Sequence, residues 1–321
     1  IDLIMNIDDL KIIIRDRYFD LASSHYIKNS LYKVFKNQKS NTIKKNNDRT
    51  HRNFYVASKE PLIIFTLEEV SDFHHFSKII KKERPATFIK FFPWTLYDGP
   101  RIFDYVFRNH DIHLKQFPKH KIIYLLNTEE EYNQFKSKNI PCEFVNQNAL
   151  LDPNIFFPIK ETSKIYNCVY NARFEIIKRH YLLDYCEKIS LMSSLVLRMD
   201  NSKKNYINKL KKIIPNADIL NFCPPKQFGK YEPEEFLPQL NPIDVNKYLN
   251  QSRVGMILSP KEGACYASAE YLLAGIPVIS TRSIGGRDIF FDERFCKVVS
   301  SNKKAIRKAM DELIEQNINP D

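Results

Sequence analysis

Chemistry is written most densely between Val254 and Asp288, in the run VGMILSPKEGACYASAEYLLAGIPVISTRSIGGRD. A buried strand is expected to end at Leu258, Ser259-Pro260 turns the chain, and Glu262-Gly263 precedes a helix rich in small residues. Because a helix N-terminus presents unpaired N–H groups and a partial positive charge, this strand-to-helix turn is a ready site for a phosphate. Gly263 lets the backbone approach such a ligand closely. Gly275 suits the position just past the helix, with Pro277 two residues on. Gly285-Gly286 then turns the chain at the carboxyl end of the next strand, where open α/β sheets bind their ligands. Glycine is rare elsewhere. The chain holds seven in 321 residues, against roughly 7% in an average protein, and five of them lie from Gly255 to Gly286.

A second cluster lies upstream, where Asn171-Ala172-Arg173-Phe174 is followed by Lys178-Arg179-His180. Taken alone, such a pair of cations reads as solvated side chains at a helix start. Cations there oppose the helix dipole, and an anion relieves the arrangement. Together the two clusters resemble the donor-binding domain of nucleotide-sugar glycosyltransferases of the GT-B fold, in particular retaining glycosyltransferase family 4 (glycosyl transferases group 1). That family sets two glutamates about a fixed spacing, the first followed by glycine and a small or apolar residue, then a helix and Gly-x-Pro-Val. Here the positions are Glu262, Gly263, Ala264, Glu270 and Gly275-Ile276-Pro277-Val278. The spacing alone says little, since Glu60 and Glu68 repeat it with neither the glycine nor the helix. Residues 122–158 are similar to the family's crossing between domains, so the resemblance spans roughly 120–316.

The resemblance implies transfer of a sugar from a nucleotide-diphosphate donor to a hydroxyl on a glycan, lipid-linked or polysaccharide acceptor, with retention of anomeric configuration. It assigns Arg173 and Lys178 to the donor diphosphate, a planar fork and a mobile point charge respectively. The backbone of Gly263, Ala264 and Cys265 would hold donor phosphate, Glu262 the donor sugar and Glu270 the ribose hydroxyls. No cofactor or metal ion is implied beyond the donor itself. The family often has Phe-Gly where this chain has Ala264-Cys265, which adds a β-carbon where backbone meets phosphate. Cys265 reads as a packing residue, with no histidine beside it to make it a nucleophile.

The elements that must carry these residues alternate strand and helix, which indicates parallel sheets. In the first half the pattern predicts helices over 8–35, strands over 61–66, 86–94 and 121–127, and helices over 73–82 and 100–115. In the second it predicts strands over 165–170, 189–197, 218–222, 254–258, 278–280 and 296–299. Helices over 175–187, 203–213, 245–250, 266–274 and 303–316 separate them. The expected architecture is therefore α/β, two Rossmann-like domains facing each other across a cleft. Residues 1–158 form an abbreviated acceptor-side domain, 159–302 the donor domain, and 303–321 a terminal helix.

Composition narrows the class further. Hydrophobic residues make up 43% and aromatic residues 13%, enough for a sizeable core and too much for a disordered chain. No apolar run is long enough for a membrane-spanning helix. The opening Ile1-Asp2 does not read as a secretory signal, and without an initiator methionine it suits an excised piece of a longer chain. Six cysteines without a C-x-x-C pair suit reduced thiols in a cytosol. The net charge of +11 favours anionic partners. The basic stretch from Lys33 to Arg52 reads as a solvated linker near 36–53, with peripheral docking to an anionic membrane as the alternative.

Other constellations are weaker. His110, His113 and His120 suggest a metal cluster, but no H-E-x-x-H or cysteine pair supports it. One of His74, His75, His110 or His113 is a candidate to face the donor sugar. Trp94 and Tyr97 read as core, or as the lining of an acceptor cleft. Two rival functions stay open: a catalytically silent GT-B-like interaction module, and a basic nucleic-acid-binding protein that lacks any recognisable module.

Overall fold

The computed structural model describes residues 53–67, 83–99, 101–193 and 200–318. The helices expected over 8–35 and 73–82, the basic stretch from Lys33 to Arg52, and His74 and His75 lie outside these residues. Two compact units are formed, one ending at Ala149 and the other starting at Leu150.

The first unit is a five-stranded sheet in sequential order, β1 (Asn53–Lys59), β2 (Leu62–Leu67), β3 (Ala86–Phe91), β4 (His120–Leu126) and β5 (Cys142–Phe144). The strands from β2 to β5 run parallel. β1 adds an antiparallel edge through a tight hairpin, an element not expected from the sequence. Helices α1 (Ile102–Gln116) and α2 (Glu129–Ser137) bring Val106 and Phe135 onto Phe88, Ile122 and Tyr124 in the core. β3 stops at Phe91, short of the expected Trp94, because Thr95 caps a short 3-10 turn and Pro93 cannot donate to a ladder. His110 and His113 are buried on α1, against Tyr124, and against Phe88, Phe117 and His120, respectively. They are core residues, with His113 Nε2 and His120 Nδ1 3.1 Å apart.

The second unit is a seven-stranded sheet. Its strands are β6 (Tyr166–Asn171), β7 (Ile189–Met192), β8 (Asp218–Ile219), β9 (Lys226–Gln227), β10 (Ser252–Ile257), β11 (Val278–Thr281) and β12 (Cys296–Val299). Their spatial order is β12-β11-β10-β6-β7-β8-β9, parallel except for the β8–β9 edge pair. From β6 the chain winds outward through β7 and β8. It then returns to lay β10 on the other side of β6 and winds outward again. The β6–β10 boundary is therefore a topological switch point, where loops leave adjacent strands in opposite directions and open a crevice at the carboxyl ends.

Helices α3 (Asn201–Ile213) and α6 (Lys303–Gln316) supply Tyr206, Ile207, Leu210, Ile306, Met310 and Leu313 to the core, against Cys168, Tyr170, Val254 and Met256. Helices α4 (Pro242–Asn250) and α5 (Tyr266–Leu273) pack against β10. Amide side chains of α4 hold the segment entering the unit, with Asn250 Oδ1 2.6 Å from the Ile159 amide.

One expected element is overturned. Residues 175–187 do not form an α-helix but two 3-10 turns, Ile176–Lys178 and His180–Leu183, joined at Arg179 with φ 55°. Burial explains the break: Phe174 and His180 both pack into an aromatic cluster with Tyr170, Tyr206 and Phe228, and a regular helix does not present both to it. β8 likewise ends at Ile219 rather than at Phe222. Beyond it, Asn221 turns its side chain onto Ser193, receiving the Ser193 N–H at 2.9 Å and donating to its carbonyl at 2.7 Å.

No helix among the described residues is long and apolar enough to cross a membrane.

Candidate functional site

The site is built at the carboxyl ends of β6 and β10. On one face of β6, Tyr170 is buried, and its hydroxyl donates to the Lys178 carbonyl at 2.5 Å while accepting from the Leu258 amide at 3.3 Å. One phenol thereby ties the turn carrying Lys178 to the end of β10. Burial, with the nearby Glu262 charge, pushes its pKa well up, so it stays a neutral donor.

Asn171 lies on the other face of the strand, where its amide donates to the Tyr271 hydroxyl at 2.7 Å and its Nδ2 to Glu270 Oε2 at 3.0 Å. Tyr271 reaches this point because position 255 is glycine. A β-carbon there would stand 2.2 Å from the tyrosine ring.

The loop after β10 brings the charges together. Lys178 Nζ donates to Glu262 Oε1, and Ser259 Oγ donates to the same oxygen. The two charged side chains are only 11% and 7% exposed, so this is a largely desolvated ion pair. The Glu262 loop is also held from below: the Glu262 amide donates to the Ile284 carbonyl, and the Ile284 amide to the Pro260 carbonyl, each at 3.0 Å.

α5 begins beside this pair. Thr128, Asp200, Asn241 and Asn302 cap their helices with side-chain oxygens, whereas no side chain caps α5. Its N-cap is Cys265, in the left-handed region at φ 58°, a conformation that disfavours a β-carbon. Burial first, and the Glu262 carboxylate second, push the Cys265 thiol up to about 12. It is a neutral packing group at any physiological pH. The helix ends in a Schellman motif, with Gly275 at φ 70° and bonds from the Gly275 amide to Leu272 and from the Ile276 amide to Tyr271.

Among the residues singled out from sequence, Lys178, Glu262, Gly263, Ala264 and Cys265 are therefore gathered at one place. Glu270 lies a turn further along α5, on Asn171. Arg173 stands apart, with its side chain 49% exposed and 3.5 Å from Glu175. With the 175–187 helix gone, neither Arg173 nor Lys178 sits at a helix start, and the dipole argument for an anion there does not apply. Arg173 follows the end of β6 on irregular chain instead, and Lys178 closes the 3-10 turn Ile176–Lys178. Among the described residues, no group of three or more His, Cys, Asp or Glu is placed to hold a metal ion.

Sequence reasoning missed Tyr170, Tyr271, Arg287 and the hydrogen-bonding roles of Asn171 and Ser259. Arg287 is completely buried. It donates from Nη1 to the Ser259 carbonyl at 2.7 Å, from Nη2 to Ser280 Oγ at 2.7 Å and to the Thr281 carbonyl, and from Nε to Asp288 at 2.6 Å. A buried arginine is invisible in a sequence that places it beside Gly286 in an ordinary turn.

No family model matches this chain, and no curated protein does. Among solved structures it is similar to sucrose-phosphate synthase from Thermosynechococcus elongatus. That match has a TM-score of 0.56 and 12% identity, covering 79% of this chain and 65% of the synthase. It is also similar to HepE from Anabaena, solved with UDP and glucose, with a TM-score of 0.51 and 13% identity over 80% of this chain and 69% of that one. The HepE structure with UDP-glucose matches at a TM-score of 0.50 and 13% identity, over 78% and 67%. At these identities the likeness is one of fold, and it agrees with the two α/β units expected from sequence: the architecture is of the GT-B class.

Proposed function

We propose that this chain is a nucleotide-sugar-dependent glycosyltransferase that moves a sugar from a nucleotide diphosphate to a hydroxyl acceptor with retention of configuration. The observation that carries the reading is the Lys178–Glu262 pair beside the side-chain-uncapped start of α5, at the switch point of the second sheet. The hard step in such a transfer is expulsion of the diphosphate as the anomeric carbon gains cationic character, which demands positive charge on the leaving phosphates. Lys178 and the α5 N-terminus supply it in this proposal, with Arg173 closing over the phosphates from the exposed rim.

In the same reading, Glu262 exchanges part of its contact with Lys178 for the donor sugar, and Glu270, held by Asn171, receives the ribose hydroxyls. Residues 1–158 supply the acceptor side and 159–302 the donor side. HepE is solved with UDP-glucose, which makes UDP-glucose the first donor to try.

Calorimetric titration tests the proposal. The wild-type chain is expected to bind a nucleotide-diphosphate sugar. Arg173→Ala, which removes an exposed side chain and leaves the fold intact, is expected to weaken binding by about tenfold to a hundredfold. Unchanged affinity in that variant would remove Arg173 from the site, and no binding of any nucleotide sugar by the wild type would defeat the reading. A second reading, a catalytically silent module, is favoured by one feature: Cys265 places a side chain where backbone must meet phosphate. Slow release of free sugar from the donor distinguishes the two, since a transferase leaks some sugar to water and a silent fold releases none above blank.

A further inference from the structure

The Lys178–Glu262 pair needs something to hold the carboxylate in place. Glu262 sits on a loop without regular structure, and its Oε1 receives both the ammonium and the Ser259 hydroxyl. Ser259 is in turn gripped by Arg287, whose Nη1 lies 2.7 Å from the Ser259 carbonyl and 3.5 Å from its Oγ. The hydroxyl can accept from the guanidinium and donate to Glu262 at once.

The other guanidinium donors engage Ser280, Thr281 and Asp288, so all of its N–H directions are used and the planar fork is locked. Arg287 is itself fixed from α5, where Ser268 Oγ donates to the Arg287 carbonyl at 3.1 Å.

We infer that Arg287 is a positioning residue that sets the orientation of the Lys178–Glu262 pair through the Ser259 hydroxyl. What the pair does rests on the glycosyltransferase reading; the relay of hydrogen bonds does not. A purely structural staple would need only the bonds to the Ser259, Ser280 and Thr281 backbone and side chains that join β10 to β11. The inference requires in addition that the hydroxyl of Ser259 matter to Lys178, which is far away along the chain but shares its acceptor, Glu262 Oε1.

The test reads Lys178 directly. In a proton–nitrogen correlation spectrum of lysine ammonium groups, a desolvated paired ammonium exchanges slowly and is visible; Lys178→Met identifies it by its loss. Ser259→Ala keeps every backbone bond of the staple and removes only the hydroxyl, and it is expected to shift or broaden the Lys178 signal. Ser259→Thr, which restores a hydroxyl, is expected to return the signal towards its wild-type position. Arg287→Lys is expected to reproduce the Ser259→Ala change, because three donors on a flexible stem cannot fill five fixed directions. If Arg287→Lys fails to fold, Ser280→Ala, which frees one guanidinium donor and leaves Ser259 intact, takes its place and is expected to shift the Lys178 signal; an unchanged signal in the folded Arg287 or Ser280 variant overturns the inference.

A Lys178 signal unchanged in Ser259→Ala overturns the inference. Donor titration is run in parallel, with Ser259→Ala expected to bind about tenfold more weakly. If the wild type binds no nucleotide sugar, the functional reading fails while the ammonium spectrum still judges the relay.

Discussion

Lys178 and Glu262 illustrate how much rides on a single buried contact. Removing one member of such a pair strands the other's charge in a desolvated place, so Lys178→Met is expected to cost about 3–5 kcal/mol of stability. The double variant Lys178→Met with Glu262→Gln is expected to recover a large part of that loss. Urea unfolding of the two variants checks this. Gly255 makes a steric prediction: with its β-carbon 2.2 Å from Tyr271, Gly255→Ala is expected to destabilise by about 3 kcal/mol. It should also loosen the Asn171 amide that Tyr271 holds, which amide exchange at Asn171 would report. Cys265 makes a chemical one. Its thiol is pushed up to about 12 by burial, whereas Cys223 is exposed. Iodoacetamide at pH 8 is therefore expected to alkylate Cys223 and spare Cys265, as peptide mass spectrometry would show.

Among the elements, α5 and its flanking turns were the most legible. Small residues after Glu262-Gly263 and the Gly275-x-Pro277 stop mark its ends through local rules alone, and the helix runs Tyr266–Leu273. Since Gly275 sits at φ 70°, Gly275→Ala is expected to cost about 1–2 kcal/mol, measured as a lowered unfolding midpoint. α3, α4 and α6 are capped by the residues that precede them, Asp200, Asn241 and Asn302, short polar side chains whose capping is equally local. The 175–187 segment was misread because its apolar spacing fits a helix while its burial does not. Phe174 and His180 are drawn to an aromatic cluster completed by Tyr206 and Phe228, which are distant in sequence. β1 was missed since its pairing with β2 is decided by the hairpin rather than by its own composition.

At the scale of the whole second unit, His180 at the centre of that cluster makes acid stability a test of the core. Burial holds its pKa at about 3, against an ordinary 6.5. Below 6.5 the unfolded chain takes up a proton that the folded chain refuses, so this contribution to stability is full above pH 6.5 and is lost as pH falls towards 3. The slope is at most about 1.4 kcal/mol per pH unit for one proton. His180→Phe is expected to flatten the fall in unfolding free energy between pH 7 and pH 5, which denaturant titrations at the two values compare. The alternating pattern that announces α/β layers, the helix stops and the glycine turns at strand ends all depend on neighbours within a few residues, and each could be read from residue order. The order of the strands could not. That β10 returns beside β6, that Lys178 meets Glu262, and that a buried Arg287 braces Ser259 follow from packing between segments far apart in the chain, where burial and hydrogen-bond satisfaction outweigh local preference.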